Sequence, residues 1–126
     1  LLSNAISGWG FDVMCARSGE EVLRITVDQP ADIALLDLNL PGIDGIETLK
    51  KLRERRPSLQ GIILTGFASL DAARQAIHLE VVEFLTKPCP LGDLEQALDR
   101  AARRLAPVPL VLPGLMPNPA AAATAR

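Results

Sequence analysis

Apolar residues along this chain keep two alternating rhythms. Short unbroken runs give way to stretches in which they recur three or four positions apart, and then return. The first rhythm fits strands covered on both faces, the second amphipathic helices. LLSNAIS, residues 1–7, reads as the end of a helix, with Leu1, Leu2, Ala5 and Ile6 on one face and Gly8 and Gly10 stopping it. FDVMCA, 11–16, predicts a strand. A helix follows from Gly19 to Asp28, opened by a Ser18/Glu21 capping box, with Val22, Leu23, Ile25 and Thr26 inward. DIALLD, 32–37, predicts a buried strand with a polar tip. Asp44 caps the next helix, which turns Ile46, Leu49 and Leu52 inward and ends in Arg53, Arg55 and Arg56. Those cations complement the helix dipole and read as solvated charges.

GIILTG, 61–66, predicts another strand. Ser69 caps a helix from Leu70 to Leu79 with Ala73, Ala76 and Ile77 inward, and VVEFLT, 81–86, predicts the last strand. The longest helix, 91–106, carries Leu94, Ala97, Leu98, Ala101 and Leu105 along one stripe. Strand and helix alternate with short connections, which predicts an α/β domain with a parallel sheet and helices on both faces. The domain covers 1–106. From Pro107 to Arg126 the chain holds five of its ten prolines and one charge, and reads as a disordered tail or linker.

The 126 residues suffice for one domain, and a net charge of −2 speaks against a nucleic-acid-binding surface. No apolar run nears the ~20 residues that span a bilayer. Cys15 and Cys89 have no metal-ligand spacing and read as small hydrophobes in a reducing cytoplasm. His78, the one histidine, reads as an exposed surface residue.

The chemistry gathers at the strand ends. Asp37 closes one strand, Thr65 sits at the end of the next, and Lys87 follows the last. In open parallel sheets that edge is where function collects. ALLDL by itself also suits a nucleotide hydrolase, but that chemistry needs a GxxxxGK[ST] loop, and the sequence has none.

With LLDLNLPGIDG, ILTG and EFLTKP in these places, residues 1 to about 105 resemble the receiver domains of two-component response regulators. The resemblance implies a CheY-like (flavodoxin-like) doubly wound sheet of order 2-1-3-4-5. It implies that Asp37 accepts a phosphoryl group from a histidine kinase or phosphotransfer protein, that the Thr65 hydroxyl contacts the phosphoryl oxygens, and that Lys87 pairs with the carboxylate. It further implies that Phe84 is a rotamer switch, that Lys87–Pro88 is cis, and that Mg2+ binds Asp37 and the Asn39 backbone carbonyl. Asp44 stays a helix cap. Partners would read the last helices and the strand between them, a surface also suited to a homodimer.

The family opens with a strand ending in an acidic metal-binding pair. This chain starts at Leu1, past that strand, and reads as a fragment whose fold is marginal and whose magnesium binding is weak. The alternative is a degenerate receiver that works as an interaction module without phosphorylation. A second departure is Glu80, where the family usually has a glycine that ends the helix in a left-handed turn.

Overall fold

The structure, a computed structural model, describes residues 2–66 and 69–105. Five helices and three strands alternate: α1 (Leu2–Gly8), α2 (Gly19–Asp28), β1 (Ile33–Leu36), α3 (Gly45–Arg55), β2 (Gln60–Thr65), α4 (Leu70–His78), β3 (Glu83–Thr86) and α5 (Leu91–Leu105). The three helix starts with predicted caps are built by local chemistry. Ser18 Oγ accepts from the Glu21 N–H at 3.1 Å, Asp44 Oδ1 from Glu47 at 2.8 Å, and Ser69 Oγ from Ala72 at 3.0 Å. The Glu21 carboxylate reaches one residue further back than a capping box requires, to the Arg17 N–H at 3.0 Å.

The strands form one parallel sheet in the order β1-β2-β3. Their side chains alternate between two cores. On one face Ala34, Leu36, Ile63 and Phe84 meet α2, α3 and α4 through Val22, Leu49, Leu52 and Ala76. On the other face Ile33, Ile62 and Val82 meet α5 through Leu94, Ala97, Leu98 and Ala101, with Ile6 of α1 beside them. The result is a three-layer α/β sandwich, as the alternating pattern predicts.

Three expectations need correction. Residues 11–16 form no strand. An apolar run becomes a strand only when a backbone lies about 4.8 Å away to pair with it. Here an apolar slot of about 280 Å³ separates the segment from β1, lined by Ile6, Met14, Val22, Ala34, Leu36 and Leu98. β1, β2 and β3 thus occupy the third, fourth and fifth places of the expected order, and β1 pairs only with β2 among the described residues.

Ile77, predicted inward, is 73% exposed, as is Leu70 at 71%. Helix α4 buries Ala76 fully and Ala72 in part, so the outer edge of its apolar stripe faces solvent.

Arg53, Arg55 and Arg56 are not merely solvated helix-end charges. Arg53 donates to the carbonyls of Leu59 and Leu79, Arg55 to that of Leu23, and Arg56 to that of Ala31 while pairing with Asp32. The end of α3 therefore ties α2, the approach to β1, the entry to β2 and the end of α4 together.

Helix α4 ends in a left-handed turn without a glycine. Glu80 takes φ 52°, the left-handed conformation usually left to glycine. The Glu80 N–H reaches Ile77 O at 3.0 Å and the Val81 N–H reaches Ala76 O at 3.2 Å, the paired bonds of a Schellman motif. His78 is exposed, and no described helix is long and apolar enough to cross a membrane. The predicted tail, 107–126, lies outside the described residues.

Candidate functional site

The carboxyl edge of the sheet brings three of the predicted residues together. Asp37 leaves β1 one residue past its end, Thr65 closes β2, and Lys87 follows β3. The Lys87 N–H donates to Thr65 O at 2.7 Å, which holds the lysine beside the β2 terminus. Its ammonium then crosses to Asp37, with Nζ 2.8 Å from Oδ2. The other carboxylate oxygen, Oδ1, accepts from the Asn39 N–H at 3.0 Å. Thr65 is fully buried, and its hydroxyl also supports the Asp37 carboxylate. The Lys87–Pro88 bond is cis.

These contacts set the charge on Asp37. Burial is the largest single influence and raises its pKa. The Lys87 ammonium, the Asn39 N–H and the Thr65 hydroxyl together outweigh it, and the carboxyl sits below its ordinary value. A half-exposed ion pair of this kind contributes about 1 kcal/mol or less to stability. Its weight lies in keeping the oxygen ionised, the form in which a carboxylate can act as a nucleophile.

The loop behind Asp37 is shaped by close contacts. A Cβ at Gly45 would collide with the Asp37 carbonyl, so only glycine lets α3 start there. Gly42 turns the loop at φ 76°. The loop then meets the first turn of α2. Glu20 of α2 accepts from the Ile43 N–H at 2.8 Å. No local signal marks that contact, which spans 23 positions. Next to Thr65 in the chain, a Cβ at Gly66 would meet nothing within 4 Å, so space is open at Gly66 itself.

Phe84 stands opposite Ile63, and Thr86 opposite Thr65, across the β2–β3 ladder. By the two-residue period of a strand, Phe84 therefore lies on the same sheet face as Thr65. It is half-buried against the α3–α4 side of the core.

Asp37 and the Asn39 carbonyl would offer a magnesium ion two oxygens. The described residues hold no group of three or more His, Cys, Asp or Glu side chains fit for a metal. Magnesium keeps several of its waters and takes few protein oxygens, so these two donors fit part of its octahedral shell.

Comparison with known proteins agrees with this geometry. The model of the response regulator receiver domain matches residues 1–99. Transcriptional regulatory protein ZraR of Escherichia coli is 31% identical over 101 residues, which are 80% of this chain and 23% of that protein. The DNA-binding transcriptional regulator NtrC of Klebsiella pneumoniae is 35% identical over 101 residues, 80% of this chain and 22% of its own length. The chain thus spans less than a quarter of these curated relatives. Among solved structures, a CheY-like response regulator receiver domain protein of Methanospirillum hungatei superposes with a TM-score of 0.75 at 26% identity, over 82% of this chain and 83% of that one.

Proposed function

Because the chain belongs to the response regulator receiver domain family, we propose that it accepts a phosphoryl group on Asp37 from the phosphohistidine of a histidine kinase or phosphotransfer protein. The observation that carries this reading is the 2.8 Å contact between Lys87 Nζ and Asp37 Oδ2, beside the buried Thr65. Receiver domains are signalling modules, and the chemistry asked of one is its own modification.

A carboxylate oxygen of Asp37 attacks phosphorus. The O–P bond forms as the P–N bond breaks, and the imidazole nitrogen leaves with the electron pair. Such a transfer depends on positioning and on charge neutralisation more than on covalent help. Lys87 offsets the charge on the transferred group. Thr65 donates a hydrogen bond to one of its oxygens, and the open space at Gly66 admits it. Asp37 and the Asn39 carbonyl are the oxygens this chain would add to a magnesium ion, and no step is assigned to that ion.

Thr65 moving toward the phosphoryl group vacates space on the face it shares with Phe84. Phe84 turns into that space, and the surface of α4, β3 and α5 changes. Leu70 and Ile77 already stand exposed there as contacts for a partner or a second copy. The histidine kinase that supplies the phosphoryl group places the chain in the cytoplasm. Binding to nucleic acid is left to the rest of a longer regulator, in keeping with the net charge of −2. Neither the site nor the matches favour the alternative, an interaction module that takes no phosphoryl group.

The test is intact mass after incubation with acetyl phosphate and magnesium. One phosphoryl group gained by the chain and none by Asp37→Asn is the expected result. No gain by the chain overturns the reading.

A further inference from the structure

The loop from Leu38 to Ile43 runs directly from Asp37, and its orientation decides where the Asn39 N–H points. That N–H is one of the groups holding the carboxylate, at 3.0 Å from Oδ1. The loop itself is pinned from outside by the first turn of α2. Glu20 Oε1 accepts from the Ile43 N–H at 2.8 Å. The carboxylate lies so close to the Gly42 Cα that a side chain there would collide with both of its oxygens. Gly19 completes the fit, because a Cβ on it would strike Ile43 and Thr48. Three successive features of the loop, the left-handed turn at Gly42, the N–H of Ile43 and the Ile43 side chain, thus meet two successive residues of α2. Helix α2 presents a shaped acceptor, and the loop presents a donor with no side chain in the way.

We propose that Glu20 is a positioning residue for the Asp37 site: by holding Ile43 it fixes the loop that aims the Asn39 N–H at the Asp37 carboxylate. This rests on the reading of Asp37 as phosphoacceptor. Glu20 touches neither Asp37 nor the incoming group, and acts only through the loop. The Glu20 carboxyl also lies below its ordinary pKa, chiefly through the hydrogen bond from Ile43, so it is the ionised form that the loop binds.

The experiment compares Glu20→Ala and Glu20→Gln with the unchanged chain. Glutamine keeps an acceptor oxygen and loses the charge, while alanine loses both. Hydrogen–deuterium exchange is followed at the Asn39 and Ile43 amides, and intact mass gives the rate of phosphoryl gain from acetyl phosphate and magnesium. Loss of one hydrogen bond of ordinary net strength predicts faster exchange at both amides in Glu20→Ala by about fivefold. The phosphorylation rate should fall by roughly threefold to tenfold, as the carboxylate loses its orientation. Glu20→Gln should restore both. Unchanged exchange at Asn39 in Glu20→Ala overturns the proposal. So does looser exchange with an undiminished rate, which makes the contact a loop staple and nothing more. Absence of phosphoryl gain in every variant, the unchanged chain included, overturns the reading of Asp37 and the positioning role with it.

Discussion

The guanidinium of Arg53 donates to the carbonyl of Leu79, joining the end of α3 to the residue that closes α4. Its Nε also reaches Leu59 O at 3.1 Å, at the entrance to β2. One side chain therefore satisfies carbonyls of two other elements. Arg53→Ala should cost ~1.5–3 kcal/mol, the range for hydrogen bonds made by a charged group. Arg53→Lys should recover less than half, because a point charge cannot serve two carbonyls as a planar fork does. Urea unfolding followed by Trp9, the one tryptophan, gives both values. Equal stability of all three proteins would show that these contacts carry nothing.

The partner of Asp37 sets a pH dependence. The folded-state pKa of Asp37 is depressed, so its contribution to stability is present above the unfolded value of about 3.9. That contribution is lost as pH falls through the lower folded value. Lys87→Ala removes the ammonium, by its hydrogen bond and its charge, and leaves the Asn39 N–H and the Thr65 hydroxyl alone against burial, which raises it. The Asp37 carboxyl should then titrate at higher pH than in the unchanged chain, as read by carbon NMR of the side chain. The acid limb of phosphoryl gain should move to higher pH with it. An unmoved titration would mean that Lys87 does not set the charge at this site.

Glu80 offers a test with the opposite sign. A non-glycine residue in the left-handed region is disfavoured by roughly 1–2 kcal/mol, partly offset because glycine loses more backbone freedom on folding. The Glu80 carboxylate does favour the charged form of Arg53 nearby, but an exposed charge pair contributes about 1 kcal/mol at most, usually less. Glu80→Gly should therefore stabilise the chain by about 0.5–1 kcal/mol. A destabilised variant would show that the charge attraction to Arg53 outweighs the backbone.

What could be read in the sequence was what neighbouring residues decide. Ser18, Asp44 and Ser69 were legible as caps because each acceptor and its N–H lie three positions apart. Asp37, Thr65 and Lys87 were legible because a parallel sheet brings successive strand ends to one edge. The strand predicted over 11–16 was not decided locally, since pairing needs another backbone and β1 stands across a slot. Ile77 was misplaced because the stripe on α4 is wider than the surface that covers it. Arg53, Arg55 and Glu20 reach across 26, 32 and 23 positions, and no periodicity announces such contacts.

The slot beside β1 also bears on how the chain behaves in company. Among the described residues, Ile33–Leu36 is an apolar strand with a ladder partner on one side only, an arrangement open to strands from other molecules. Acidic residues bracket it, Asp32 before and Asp37 after, and like charges at both ends of a short apolar segment act as gatekeepers against stacking. Arg56 already neutralises the first and Lys87 the second. The protection is therefore thin, and self-association, seen as light scattering that climbs with concentration, should quicken when Asp32 is replaced by asparagine. The two carboxylates that flank these four residues would then act on association between molecules as well as on charge within one.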